Sequence, residues 1–260
     1  MEVVIVDTPT DAVPIVADAY SKLLTEKPDA ILGLATGSTP LGVYKELIRR
    51  HKEQGLSFAQ ARSFNLDEYV GLPEGHPEAY ATFIRREFTD QVDFRPGAVK
   101  GPNGLAEDLL QAAIDYDNEI VDSGGIDLQI LGIGSDGHIA FNEPMSSLGS
   151  RTRLKTLTEQ TRADNARFFD SIDGVPRLCL TQGIGTIMEA RHIVMLGFGE
   201  NKADAVHACI EGPIMAKWPA SALQLHPHTT VVVDEAAASR LEEHDYYKTT
   251  WSKKPDWQSI

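Results

Sequence analysis

Cysteine is the rarest residue in this chain of 260 residues, with only Cys179 and Cys209 present. Each lies inside an apolar segment, so two buried free thiols are expected rather than a disulfide. Such sparing use of cysteine is typical of a protein from a reducing compartment. The sequence gives no support to a disulfide framework.

Long hydrophobic runs and positive charge are also scarce. The first residues, MEVVIVDTPTD, lack the basic start and the long apolar core of a signal peptide, and no stretch approaches the length of a membrane-crossing helix. There are 24 lysines and arginines against 38 aspartates and glutamates, a formal net charge of −14. Without a basic block, nucleic-acid binding is not expected. These absences predict a cytoplasmic protein that would bind an anion through a few placed cations and backbone amides.

Apolar segments of strand length alternate with amphipathic segments along the chain. Strands are predicted at 3–6, 30–35, 62–66, 128–133, 154–157, 177–180, 193–198 and 229–233, with helices near 15–24, 40–48, 80–88 and 109–121. Thr39 is expected to cap the second helix and Pro40 to be its first residue. This alternation predicts a mostly parallel sheet covered on both faces. Since no repeat or linker interrupts it, we predict one doubly wound α/β domain over residues 1–260.

The stretch from Leu128 to Glu143 carries the densest set of reactive side chains. An apolar strand runs into a glycine turn, and Asp136, His138 and Glu143 follow within eight residues. In an open α/β sheet, ligands bind outside the carboxyl ends of the strands, where this set would lie. Histidine is the side-chain type that titrates nearest neutrality, and the two carboxylates would fix its tautomer. We predict an active site here.

The same three side chains could instead hold a metal ion, because histidine and carboxylates are ligands of transition metals. Such sites usually recruit a second histidine, and this loop offers none. His226 and His228 are expected in a turn before the last strand. The sequence therefore predicts neither a metal nor a cofactor.

Two other loops follow predicted strands. In Thr36–Pro40, free backbone N–H groups and the hydroxyls of Ser38 and Thr39 would point at an anion bound at a helix start. The loop is not a Walker motif, because no Gly-Lys-Ser/Thr follows, so ATP is not implied. At the end of the third strand, Asp67 and Glu68 are both candidates for the base in a proton transfer. The residues alone do not choose between them.

Five ordered blocks resemble the glucosamine-6-phosphate deaminase family. They are LGLATGSTPLGVY at 32–44, FNLDEYVGLPEGHPEAY at 64–80, GIGSDGHIAFNEPMSSLGSRTR at 132–153, ARFFD at 166–170 and ALQLHP at 222–227. The family converts glucosamine 6-phosphate and water to fructose 6-phosphate and ammonia without a cofactor. The resemblance therefore implies hydrolysis of a C–N bond coupled to aldose–ketose isomerisation. It also implies a Rossmann-like sheet with a mobile lid at about 158–175.

The resemblance assigns roles to particular residues. Asp67 becomes the base that moves a proton between C2 and C1 of the sugar. His138, oriented by Asp136 and Glu143, becomes the group that opens the sugar ring. The substrate phosphate is expected to bind at Gly37, Ser38, Thr39, Arg167 and Lys202.

A second anion site is expected just beyond the catalytic loop. Arg151, Arg153 and Lys155 alternate, so they would share one face of an extended segment. In hexameric members of the resembled family, N-acetylglucosamine 6-phosphate binds between subunits and activates the enzyme. The matching residues here are Ser146, Arg153, Lys155 and Thr156, with a tyrosine near the C-terminus, Tyr247 or its neighbour Tyr246. Monomeric relatives lack this regulation, and residues 220–238 resemble them more closely. We predict an oligomer that this compound activates.

Two other functions fit part of the pattern. A hydrolase like 6-phosphogluconolactonase would act on a related sugar phosphate, but it leaves Asp67 and the set Asp136, His138 and Glu143 unexplained. A non-catalytic sugar-phosphate sensor, as found among transcription regulators, should carry a DNA-binding module. Neither end of this sequence has a basic helix-turn-helix segment.

Overall fold

A computed structural model describes residues 1–169, 171–255, 258 and 260. Asp170, which ends the ARFFD block, lies outside the described residues. The strands are β1 Glu2–Val6, β2 Ile31–Leu34, β3 Arg62–Asn65, β4 Asp67–Tyr69, β5 Val99–Lys100, β6 Leu128–Gly132, β7 Arg153–Thr156, β8 Leu178–Thr181, β9 His192–Gly197 and β10 Thr229–Asp234. The helices are α1 Pro9–Glu26, α2 Leu41–Gln54, α3 Tyr80–Glu87, α4 Leu109–Asp122, α5 Glu159–Asn165, α6 Ile184–Ile187, α7 Ala203–Ile210 and α8 His244–Ser252. The alternating α/β order confirms the predicted fold class.

Seven strands form one parallel sheet in the order β1-β10-β9-β6-β2-β3-β5. After β2 the chain adds β3 and then β5 toward one edge of the sheet. After β6 it adds β9 and then β10 toward the other edge. The direction therefore reverses between the neighbours β2 and β6. A crevice forms at such a reversal, beyond the carboxyl ends of the two strands, and it is the usual ligand site of this architecture.

The central strands of this sheet are largely buried because both of their faces are covered. All six residues of β9 and all six of β10 are buried. Both thiols, of Cys179 and Cys209, are buried and free, which confirms that prediction. The rigid, fully buried strands fix the positions of the loops at their carboxyl ends.

A second, smaller sheet was not predicted. It joins β4, β8 and β7 in antiparallel pairs. The chain leaves the main sheet at Leu66, whose N–H still bonds to Leu34 and whose carbonyl accepts from Gln182 in the neighbouring segment. Asp67 therefore begins a strand of the second sheet, whereas the sequence had placed it at the end of a single longer strand.

Two helix details also differ from the sequence prediction. Pro40, not Thr39, precedes the first residue of α2, and no side chain caps that helix. In α1 the buried face includes Val16, Tyr20 and Leu24, and the helix begins at Pro9, six residues before the predicted start near residue 15.

Candidate active site

A cavity of about 810 Å³ opens at the carboxyl end of the main sheet, at the reversal between β2 and β6. Its walls come from the loops after β2, β6 and β9, from the start of β4, from α3 and from the segment 161–169. The volume suits a ligand much larger than a water molecule and is within the usual range for small-molecule sites.

The loop after β2 provides the first wall. Gly37 has a φ of +94°, in the left-handed region that glycine adopts most easily. Gly37, Ser38 and Thr39 all line the cavity. Arg167 and Lys202 line it too, although they come from distant parts of the sequence. The structure thus brings all five residues of the predicted phosphate site to one cavity.

Asp67 is the carboxylate most strongly affected by the fold. It is only 5% exposed, and it lines the cavity. Burial, and next the charge of Glu68, raise the pKa of Asp67 to about 8, although the Phe141 N–H acts in the opposite direction. A carboxyl group with a pKa near neutrality suits a general base, because it takes and returns a proton with little energetic cost.

Glu68 has a different environment from its neighbour. Its carboxylate accepts hydrogen bonds from the backbone N–H groups of Tyr69 at 2.8 Å, Tyr80 at 2.9 Å and Ala81 at 2.8 Å. It therefore fixes the start of α3 against β4. Since Asp67 lines the cavity and Glu68 is engaged by backbone donors, the geometry favours Asp67 as the base.

His138 lines the same cavity from the loop after β6. Its Nδ1 lies 2.7 Å from Oδ1 of Asp136. Partial burial acts to raise the pKa of Asp136, but the hydrogen bond and charge of His138 hold that pKa below its ordinary value. A Cβ at residue 134 would lie 2.3 Å from the imidazole, so Gly134 is required for this close packing. Asp136 thus fixes the orientation of His138, as predicted.

Glu143 does not take the position that the sequence predicts. It is buried, and its Oε1 accepts from the N–H of Thr158 at 3.0 Å, the hydroxyl of Thr158 at 3.0 Å and the hydroxyl of Thr161 at 2.6 Å. Within the described part of the chain, the imidazole of His138 is not among its hydrogen-bond partners. The expected contact of Glu143 with His138 is therefore replaced by contacts with the start of α5.

Several residues of the site were missed by sequence reasoning. The ring of Tyr69 lies 4.8 Å from that of Tyr80, 5.7 Å from that of Phe141 and 5.8 Å from that of Phe169, measured between centroids. Tyr69, Tyr80, Phe141 and Phe169 line the cavity. All four lie inside the sequence blocks quoted above, but nothing in their spacing predicts an aromatic wall.

Three residues of the predicted second anion site, Arg153, Lys155 and Thr156, lie on one strand, β7. Ser146 is buried, and no partner is found for its hydroxyl among the described residues. Arg153, on β7, is half-buried and donates to Oδ1 of Asn142 at 2.8 Å. Lys155 and Thr156 follow on the same strand. Arg151 precedes the strand and pairs with Asp117 and Glu189, so it does not join Arg153 and Lys155 as predicted.

The C-terminal tyrosines lie on α8, which packs on β1. Tyr247 contacts Glu211 and the main core, whereas Tyr246 is 60% exposed. Neither of these contacts reaches β7. Within one chain, the structure therefore does not join Tyr247 to the other four residues.

No cluster of three or more His, Cys, Asp or Glu side chains with metal-binding geometry occurs among the described residues. Nor is any helix in the described ranges long and apolar enough to span a bilayer. His226 bonds through Nε2 to the carbonyl of Ala190, in the turn before β10, where it was predicted.

Comparison with known proteins agrees with this geometry. The doubly wound sheet with a cavity at its reversal point places the chain among the α/β proteins that bind ligands at this position. Within that class the chain belongs to the family of glucosamine-6-phosphate isomerases/6-phosphogluconolactonase, whose model matches residues 8–233.

Three individual proteins illustrate the similarity. A glucosamine-6-phosphate deaminase of Beutenbergia cavernae is 60% identical over 261 residues, which cover 100% of each chain. A monomeric glucosamine-6-phosphate deaminase of solved structure is 45% identical in sequence to this chain. The two structures match with a TM-score of 0.90 over 92% of this chain and 99% of that one. The 6-phosphogluconolactonase from Trypanosoma cruzi has a TM-score of 0.74 at 18% identity, covering 93% and 97% of the two chains, and shares the fold.

Proposed function

We propose that this chain is an aldose–ketose isomerising deaminase that converts glucosamine 6-phosphate and water to fructose 6-phosphate and ammonia. One observation carries the proposal: a buried carboxylate, Asp67, and an aspartate-paired histidine, His138, line the same cavity as the loop Gly37–Thr39, which is expected to bind the phosphate. Similarity to a deaminase over the full chain length supports it. Since sugar phosphates are made and used inside the cell, we also propose a cytoplasmic location.

His138 performs the first step in this mechanism. Its neutral imidazole takes the proton of the C1 hydroxyl and returns a proton to the ring oxygen, which breaks the C1–O5 bond and opens the ring. The 2.7 Å contact with Asp136 holds the imidazole in place and stabilises its charged form. No side-chain nucleophile is needed.

Asp67 performs the second step. Its ionised form removes the proton from C2 of the open-chain amino aldehyde and delivers that proton to C1, while the aldehyde oxygen gains a proton and the amino group loses one. C2 and the nitrogen now form an imine. Water adds to C2 of this imine, and the loss of ammonia leaves the C2 ketone of fructose 6-phosphate. Meanwhile the Gly37–Thr39 loop, Arg167 and Lys202 hold the phosphate, so the reacting carbons stay beside Asp67.

Release of ammonia from glucosamine 6-phosphate is the direct test of this proposal. The expected result is a stoichiometric appearance of ammonia and fructose 6-phosphate. A parallel reaction with 6-phosphogluconolactone tests the alternative function, hydrolysis of this lactone, because the family also includes 6-phosphogluconolactonase. Hydrolysis of the lactone without deamination would reject the proposal.

The proposed mechanism predicts that chelators do not inhibit the reaction. It assigns no metal to Asp136 and His138, which form a hydrogen bond with each other. Prolonged treatment with a strong chelator should leave the rate of ammonia release unchanged. The measurement is an assay before and after dialysis against the chelator. Loss of activity that a divalent metal restores would instead assign a metal to the loop after β6.

The segment 158–175 is proposed to act as a lid. Within its described residues, Thr161, Asn165 and Arg167 line the cavity. The guanidinium of Arg162 is 3% exposed and donates to the carbonyls of Ile172 and Val175, which joins the two ends of the segment. The segment would therefore move as one unit when it opens and closes.

A second phosphate site is proposed at Ser146, Arg153, Lys155 and Thr156. The buried hydroxyl of Ser146 lacks a described partner, and burial lowers the pKa of Arg153, so both groups would gain from a nearby anion. The sequence match suggests N-acetylglucosamine 6-phosphate as the anion. A tyrosine could complete the site only from a second copy of the chain, and the exposed Tyr246 is better placed for that than Tyr247.

This site predicts an oligomer, such as a hexamer, in which N-acetylglucosamine 6-phosphate lowers the substrate concentration needed for half-maximal rate. The measurement is substrate saturation with and without the compound, alongside the mass in solution. Arg153→Gln should abolish the response and leave the unactivated rate within about twofold. The similar solved deaminase is described as monomeric. A monomer whose hyperbolic saturation curve is unmoved by the compound would reject this site and leave its cations as structural.

A further inference from the structure

Helix α5 lines the cavity and is hydrogen-bonded at both ends to elements that carry proposed catalytic groups. Near its start, Thr161 donates to Oε1 of Glu143 at 2.6 Å. At its end, Nδ2 of Asn165 donates to the hydroxyl of Tyr69 at 3.0 Å. Glu143 belongs to the loop of His138, and Tyr69 lies two residues after Asp67. One short helix is thus tied to both halves of the site.

Thr161 and Asn165 are four residues apart, so they lie on the same face of α5. Both line the cavity. Thr161 is buried, and its partner Glu143 is only 6% exposed. Hydrogen bonds to a buried carboxylate are stronger than neutral ones, and they hold geometry well because few alternative partners are available.

Arg167 follows this helix directly. It lies in the 3-10 turn Ala166–Phe168, two residues beyond Asn165, and its guanidinium lies 4.7 Å from the ring of Phe168. The position of Arg167 over the cavity is therefore set by how α5 is held. A shift of α5 of even 1 Å would carry Arg167 away from a phosphate bound at the loop after β2.

We infer that Thr161 and Asn165 are positioning residues that hold α5 across the cavity, through Glu143 and Tyr69, and so place Arg167 on the substrate phosphate. Glu143 then anchors α5 through the hydrogen bonds that it accepts from Thr158 and Thr161. The inference rests on the proposed function, and it assigns roles to two side chains that do not themselves transfer a proton.

The kinetic test uses variants that remove the side-chain hydrogen bonds of Thr161, Asn165 or Tyr69 and nearly keep the side-chain shape. Thr161→Val and Asn165→Leu should each raise KM for glucosamine 6-phosphate about tenfold while kcat stays within about threefold, because a phosphate contact stabilises substrate and transition state alike. Tyr69→Phe should reproduce Asn165→Leu, since it removes the acceptor and keeps the ring. Thr161→Ser, which keeps the hydroxyl, should restore KM.

A matched control and a double-mutant cycle separate positioning from general damage. Thr25→Val removes a threonine hydroxyl that bonds within α1, far from the cavity, and should change neither constant. In an Arg167→Gln background, Thr161→Val should add little further to KM, because the contact it positions is already gone. Unchanged kinetics for Thr161→Val, a loss in kcat alone, or additivity with Arg167→Gln would each overturn the inference.

Hydrogen exchange provides a readout that does not require activity. Amides of residues 158–169 should exchange faster in Thr161→Val and Asn165→Leu than in the parent and in Thr25→Val. Exchange that matches the parent would overturn the inference by itself. If the parent protein releases no ammonia from glucosamine 6-phosphate, the proposed function fails, and the exchange measurement still decides whether these two residues hold α5.

Discussion

Replacing Asp67 with Asn lowers kcat for glucosamine 6-phosphate by about two to four powers of ten, since it removes the base that moves the proton from C2 to C1. The amide keeps the shape of the carboxyl group, so KM should change by less than about threefold. The measurement is steady-state ammonia release with enough enzyme to detect the residual rate. A variant that retains more than half of the parent turnover would remove Asp67 from the mechanism.

The pH dependence provides a second signature of the same residue. Asp67 acts as a base only when ionised, and its pKa is raised to about 8, so kcat/KM of the parent should rise through neutrality and level off above about pH 8. Glu68→Gln removes the neighbouring charge that helps to raise this pKa, so the rise should move to lower pH. In Asp67→Asn the rise should disappear.

Stability supplies the control for correct folding. A carboxyl group whose pKa is higher in the folded than in the unfolded state takes up a proton on folding, so its contribution to stability falls as pH increases from about 4 to about 8. Asp67→Asn lacks this group. Its melting temperature relative to the parent should therefore increase as the pH is raised through that range, which a damaged fold would not produce.

Replacing His138 with Gln has the second large effect. Turnover of the cyclic substrate should fall by about two to three powers of ten, because no group remains to exchange protons between the C1 hydroxyl and the ring oxygen. An analogue that is already open should be affected much less. The comparison uses turnover of glucosamine 6-phosphate and the binding constant of 2-amino-2-deoxyglucitol 6-phosphate, its reduced open-chain form.

Two results bear on how His138 acts. Binding of the open-chain analogue within about threefold of the parent would show that the cavity is intact and that the defect lies in ring opening. An equal loss in binding and turnover would mean that His138 holds the substrate and does not act at the ring oxygen. Asp136→Asn, which weakens the 2.7 Å contact, should give a smaller loss in the same direction.

Most of the main sheet was predictable because strands such as β1, β9 and β10 contain unbroken apolar runs, whereas the two-residue β5 carries no such signal and was not predicted. The second sheet was not: β4, with the sequence DEY, carries no apolar run, and the strands predicted at 154–157 and 177–180, near β7 and β8, were assigned to the main sheet. The burial of Asp67 in β4 results from contacts with β8, distant in sequence. Periodicity within a short segment does not encode such contacts.

The partner of Glu143 was equally hidden from the sequence. Ala140 has a φ of 50° and Met145 a φ of 71°, left-handed conformations that side chains other than glycine adopt rarely. These two turns redirect the loop after His138, so Glu143 reaches Thr158 and Thr161. Asp67 and His138 do line one cavity, but the spacing of residues does not determine the path of the backbone between them.

The two edges of the seven-stranded sheet bear on aggregation. Bare edge strands are templates on which another chain can add strands. Here one edge is β5, only two residues long, and the other is β1, against which α8 packs. Extension of the sheet from copy to copy is therefore disfavoured. Assembly of this protein would have to use side-chain surfaces, which can close into a defined oligomer instead of growing into a fibre.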